Sequence, residues 1–142
     1  MRILSLDVGT KNIGMAVCDP LGITAQRLPT IRRKGDLAAD LRYVAAAVRE
    51  YRVEKIVVGL PKNMNGTEGP SCAMAKDFGD AAEKETGLPL VYWDERLTSK
   101  MAESAMIEAD LSRKKRKQEV DSLAAILILQ NYLDYLRSGS NR

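Results

Sequence analysis

Acidic residues stand at three places in the sequence where carboxylates can do chemistry. Asp7 closes an apolar run, Ile3 to Leu6, and is followed by Gly9, Thr10, Lys11 and a second glycine, Gly14. Asp94 and Glu95 close another apolar run, Leu90 to Trp93. Asp121 opens an apolar stretch, Leu123 to Leu129, in which Asp121, Ala125, Ile128 and Tyr132 share one face at helical spacing. Carboxylates gathered in one place disfavour joint ionisation. A divalent cation removes that cost: Mg²⁺ takes carboxylate and water ligands and shares its remaining positions with a substrate phosphate. Two such ions about 4 Å apart activate a water and stabilise the leaving oxygen of a phosphodiester. Each acid also has a plainer reading. Asp7 fits a turn, Asp94 or Glu95 an ion pair with Arg96 or a helix cap, and Asp121 a first-turn acid favoured by the helix dipole. The coincidence of all three carries more information than any one alone.

Composition narrows the chemistry. The chain has 142 residues and no histidine. Ser-His-Asp triads, HExxH zinc sites and histidine bases are therefore excluded, and catalysis falls to Asp, Glu, Lys, Cys or Tyr. Cys18 and Cys72 have no metal-ligand spacing and read as buried or half-buried thiols. A net charge of +3 with 29% charged residues does not itself indicate nucleic-acid binding, so the distribution of charge matters more. No apolar run approaches the ~18 residues that span a membrane, and the N-terminal run has no signal-peptide pattern. The expectation is a cytoplasmic protein without membrane partners, folded as a single domain over residues 1–137 with a flexible tail at 138–142.

The elements that must position these acids follow from periodicity. Residues 2–6, 13–18 and 23–32 read as three strands, with links too short for a crossover helix, hence an antiparallel meander. Asp36 is a good N-cap for a helix whose apolar positions are Leu37, Leu41, Val44, Val48 and Tyr51. Lys55 to Pro61 holds a short β-branched strand stopped by Gly59 and Pro61, 62–69 is a turn-rich loop, and about Pro70 to Thr86 a helix closed by Gly87. Leu90 to Trp93 is the last strand, and Thr98 caps a helix reaching about Ala109. Arg113 to Lys117 is a run of five cations read as a loop, ahead of a final helix from near Gln118 to about Arg137. The order βββ-α-β-α-β-α-α implies an α/β fold with a mixed sheet and helices on its faces. Ligands in open α/β sheets bind outside the carboxyl ends of strands, where Asp7 and the Asp94-Glu95 pair both stand. The cationic run just before Asp121 would reach a phosphate backbone there.

Two short matches lead elsewhere and are set aside. Asp-x-Gly-Thr resembles the phosphate loop of actin-like ATPases, which need a much longer chain. Asp77-Phe78-Gly79 matches a kinase string but falls inside a predicted helix, with no glycine-rich loop to accompany it.

Four blocks, in this order and spacing, carry a resemblance over nearly the whole chain. They are DVGTKNIG at 7–14, VVGLPKNMNGTEG at 57–69, DERLTS at 94–99 and VDSLAAILIL at 120–129. Together they resemble the YqgF-type family of pre-16S rRNA nucleases, relatives of Holliday-junction resolvases with an RNase H-like fold. The resemblance implies a five-stranded mixed sheet of order 3-2-1-4-5 and a metal site of Asp7, Glu95 and Asp121, with Asp94 as an alternative ligand. Glu95 is preferred because the family motif has a strand-end Glu followed by Arg-Leu. It further implies Mg²⁺ or Mn²⁺ as cofactor and phosphate contacts from Thr10, Lys11, Arg96, Lys114 and Lys115. The loop at 62–69, with Gly66 and Gly69, would position substrate. The implied activity is metal-dependent endonucleolytic cleavage of structured RNA, in 5′-end maturation of pre-16S rRNA, leaving a 5′-phosphate and a 3′-hydroxyl. The partners would be pre-rRNA or a ribosomal particle, with the protein a monomer or weak dimer. Two alternatives remain open: a DNA Holliday-junction resolvase, and a non-catalytic RNA-binding ribosome-assembly factor. One departure from the wider superfamily stands out: the fourth strand, Val57-Val58-Gly59, carries no acid.

Overall fold

Strand β1 (Ile3–Val8) turns into β2 (Asn12–Cys18), and β2 into β3 (Ala25–Arg32), all antiparallel as the short links require. The computed structural model describes residues 1–95 and 113–139, with side chains for residues 1–95 and 123–138. The β1–β2 turn is closed by the Gly9 N–H donating to the Asn12 carbonyl at 2.8 Å. A Cβ on Gly9 would lie 2.8 Å from that same oxygen, so the turn closes this tightly only with glycine. β3 starts two residues later than the expected Ile23. The Asp19 carboxylate accepts the Ile23 and Thr24 N–H groups at 2.6 and 3.1 Å and holds that segment as a turn. Those two N–H groups, Ile23 first, keep the Asp19 carboxyl below its usual pKa.

The remaining elements alternate. Helix α1 (Leu37–Tyr51) begins at Asp36, whose side chain accepts from the Ala38 and Ala39 N–H groups. β4 (Lys55–Leu60) runs parallel to β1. Helix α2 (Pro70–Thr86) ends at Gly87 in a left-handed conformation, φ 71°. β5 (Leu90–Asp94) runs parallel to β4, and helix α3 covers Arg113–Gly139. The sheet order is β3-β2-β1-β4-β5, as expected. The helix expected at 98–109 lies outside the described residues.

Lys114 and Lys115 belong to α3, not to the loop expected there. Lys and Arg are good helix formers, and no Pro or Gly separates Arg113 from the apolar segment, so the helical frame runs through the basic residues without a break. The helix also includes Ser138 and Gly139, which were expected in the flexible tail.

Two cores sandwich the sheet. On one face Leu4, Leu6, Val58 and Ile56 pack against Leu41 and Val44 of α1 and Ala75 and Phe78 of α2. On the other, Ile3, Ala16, Cys18 and Val57 pack against Ala125, Ile128, Leu129 and Tyr132 of α3. Cys18 and Cys72 are buried free thiols. Among the described residues no helix is long and apolar enough to cross a membrane.

β5 is fixed to α2 through Tyr92. Its hydroxyl lies 2.7 Å from Asp80 Oδ1 and 2.9 Å from the Lys76 carbonyl, over Gly79, where a Cβ would come within 2.5 Å of the phenol oxygen. Burial first, then the bond to Asp80, raises the phenol pKa well above its ordinary 10.0. The neutral phenol is thus favoured in the folded state. Its contribution is complete below the unfolded-state value and is lost as pH rises past it. Thermal melts should therefore fall more steeply above about pH 10 for wild type than for Tyr92→Phe. Identical slopes would contradict this.

Candidate active site

Asp7 projects toward α3. Two residues earlier on the same face, the buried Ser5 hydroxyl donates to the Ala125 carbonyl of α3 at 2.6 Å, and Ile3 belongs to the α3-side core. The two-residue period of a strand then puts Asp7 on that side, at the carboxyl end of β1. Across the sheet Asp7 pairs with Gly14 of β2. The β1–β4 ladder pairs Leu6 with Val58, which makes Gly59 the next neighbour of Asp7, and Gly59 pairs with Trp93 of β5. Asp7 is therefore flanked in its row by two glycines.

Glu95 comes to this face from β5. Val91 and Trp93 pack on the α3 side, and Glu95 is the next residue in that alternation. A Cβ built on Gly59 would lie 3.1 Å from both Cγ and Cδ of Glu95 and 2.5 Å from Ile128 Cδ1. The carboxyl end of Glu95 thus lies over β4. One strand spacing, about 4.8 Å, separates β4 from the strand that carries Asp7. Asp94 alternates to the opposite side, that of Tyr92 and α2.

Asp121 lies one turn N-terminal to Ala125 in α3. Ser5 meets Ala125, while Met1 and Ile3 line a cavity with Leu133 and Leu136, so α3 runs antiparallel to β1. Moving from Ile3 to Asp7 is moving toward the N-terminal half of α3, where Asp121 stands. The Asp121 side chain lies outside the described residues, as do Arg96 and the side chains of Lys114 and Lys115. Among the described residues no three metal-capable side chains form a group; the described acids on this face are Asp7 and Glu95.

Thr10 and Lys11 are exposed on the β1–β2 turn. That turn is held from behind by Arg33, which sequence reasoning missed. Arg33 Nε donates to Asp40 Oδ2 at 3.0 Å, Arg33 Nη1 donates to the Gly9 carbonyl at 3.0 Å, and the backbone N–H of Arg33 donates to the Lys11 carbonyl at 2.8 Å. The guanidinium also lies over the Phe78 ring, 5.4 Å from its centre. Asp40 is 2% exposed. A signal existed in the sequence: Asp40, Val44 and Ala47 share the buried face of α1, and a carboxylate there requires a partner.

The 62–69 loop leaves the carboxyl end of β4 at the same end of the sheet. Its shape is set internally. The Asn63 N–H donates to the Thr67 carbonyl, the Gly66 N–H to the Asn63 carbonyl, and the Thr67 N–H to Asn65 Oδ1, with Gly66 at φ 87°. Lys76 of α2 donates to Glu68 at 2.5 Å, which lowers the Glu68 pKa and raises that of Lys76. Met64 stands 85% exposed in this loop.

Comparison with known proteins identifies the family and the fold. The family model RuvX, described as Holliday junction resolvase, matches residues 1–135. A protein of Heliobacterium modesticaldum named "Putative pre-16S rRNA nuclease" is 57% identical over 134 residues, 94% of this chain and 89% of its own. A Moorella thermoacetica protein of the same name is 54% identical over 141 residues, 99% of each chain. Among solved structures, Thermus thermophilus RuvC superposes with a TM-score of 0.70 at 15% identity, covering 98% of this chain and 97% of that one. At that identity the likeness is one of fold, and the fold is the RNase H-like one.

Proposed function

This chain belongs to the RuvX family, and we propose that it is a cytoplasmic single-domain nuclease that hydrolyses RNA phosphodiester bonds with Mg²⁺ or Mn²⁺. The observation that carries this reading is the placement of Glu95 over Gly59, on the same face and at the same sheet end as Asp7. The donor set fits a hard divalent cation: carboxylate oxygens, no histidine, and a row in which glycines leave room beside Asp7. Asp7, Glu95 and Asp121 would hold the cation. Glu95 is chosen over Asp94 because Asp94 alternates to the other side of the sheet. A cation held there would supply a nucleophile at neutral pH and would stabilise charge developing on the phosphate.

The chain's own residues do the rest. Arg33 fixes the Gly9 carbonyl, which sets the turn that presents Thr10 and Lys11 to a phosphate. Arg96, Lys114 and Lys115 extend that contact, and the internally bonded 62–69 loop positions the strand to be cut. The relatives' name favours pre-16S rRNA, cleaved in 5′-end maturation, free or within a ribosomal particle. Attack in line leaves a 5′-phosphate and a 3′-hydroxyl.

The test is cleavage of a 5′ pre-16S rRNA fragment with Mg²⁺ and with EDTA. A four-way DNA junction tests the resolvase reading, which the family description favours and which requires a dimer by solution mass. RNA binding that persists in EDTA without turnover in any metal identifies an assembly factor instead. Lys114→Ala/Lys115→Ala should reduce the slope of log binding constant against log salt by about 0.7–0.9 for each phosphate that the two lysines neutralise. Its turnover at saturating RNA should stay unchanged. An unaltered slope would remove these lysines from the interface.

A further inference from the structure

Gly59 interrupts a strand whose neighbours, Val57, Val58 and Leu60, are large and buried. Glycine inside a strand weakens it and marks a place where another group comes close. Here that group is identified: a Cβ at Gly59 would press on Glu95 Cγ and Cδ at 3.1 Å and on Ile128 Cδ1 at 2.5 Å. We infer that Gly59 is a positioning residue whose missing side chain lets Glu95 cross β4, so that an acid carried by β5 is delivered beside Asp7 of β1. This rests on the nuclease reading above and assigns a role to a residue that touches neither metal nor substrate. It also accounts for the absence of an acid on β4. A side chain at that position would occupy the space that Glu95 now fills.

The apolar contact must be separated from the acidic one. Ile128→Val removes Cδ1 and with it the 2.5 Å clash, leaving Glu95 as the neighbour that a Cβ at Gly59 would displace. The full chain is compared as wild type, Ile128→Val, Gly59→Ala/Ile128→Val, Glu95→Asp and Asp7→Asn. Each is titrated with Mn²⁺ by calorimetry, melted without metal, and assayed for kcat and KM on the RNA fragment. Relative to Ile128→Val, the double variant should bind Mn²⁺ about ten-fold more weakly and lose kcat on the order of 10²-fold. KM for RNA and the metal-free melting temperature should hold. A merely structural glycine would instead shift the melt and leave Mn²⁺ affinity alone. Glu95→Asp, one methylene shorter, should lose Mn²⁺ affinity to a similar degree, so if the double variant does not fold, the inference can still be overturned by Glu95→Asp. Unchanged Mn²⁺ affinity in either variant overturns the inference while wild type still cleaves. If wild type neither binds Mn²⁺ nor cleaves, or Asp7→Asn matches it, the nuclease reading fails and the inference with it.

Discussion

Asp7→Asn is expected to cut RNA on the order of 10³-fold more slowly than wild type at saturating Mg²⁺, about 4 kcal/mol of transition-state stabilisation. The amide keeps the shape of the side chain and one oxygen but loses the charge. Asp7 is flanked in its row by Gly14 and Gly59, so no neighbouring side chain in that row stands ready to replace it. The fold should survive, because the amide nearly conserves the volume of the carboxylate. Single-turnover cleavage and a thermal melt in EDTA check both parts. The expected pattern is a lost rate with a cooperative melt retained.

The second large effect concerns stability. Arg33→Met should destabilise the fold by about 3 kcal/mol, since it strands the Asp40 carboxylate without its partner in the core. The Asp40 side chain is 3% exposed and that of Arg33 18%, which sets the effect at the lower end of the range for buried pairs. In a chain of 142 residues that corresponds to a fall of about 10 °C in melting temperature. Arg33→Met/Asp40→Leu removes both charges and should recover much of the loss, because an apolar pair of similar volume often replaces a buried ion pair without penalty. It should not recover cleavage, since the Gly9 carbonyl still lacks the Arg33 donor that fixes the turn before Lys11. Urea melts and cleavage rates on the same three proteins separate the two roles. Full activity in the double variant would remove Arg33 from the positioning of that turn.

Much of the fold is legible in the sequence because local chemistry and tertiary packing agree. Asp36 caps its helix, Gly87 closes another, and the short links of the first three strands allow only a meander. The site is legible in part. Asp7 stands at a strand end whichever face is buried, but choosing between Asp94 and Glu95 needs to know which face of β5 looks toward α3. Leu90 and Tyr92 are as apolar as Val91 and Trp93, so alternation alone does not say. Arg33 and Asp40 lie on different elements, and their pairing follows from tertiary packing that no local pattern encodes. Gly59 reads in the sequence as a strand stop and a missing acid, whereas it lies inside β4, paired with Trp93. What fills the space beside a glycine is a property of its neighbours, here Glu95 and Ile128. In the Arg113–Lys117 run, dense charge suggests a solvated loop, yet helix propensity prevails because nothing between it and Leu123 breaks a helix.

The most direct measurement is anomalous diffraction from crystals of the wild-type chain soaked in Mn²⁺. A Mn²⁺ peak ligated by Asp7 and Glu95, with Asp121 in the same coordination sphere and Asp94 outside it, is the expected result. A peak that Glu95 does not ligate, or no peak between β1 and β5 at saturating Mn²⁺, would contradict it.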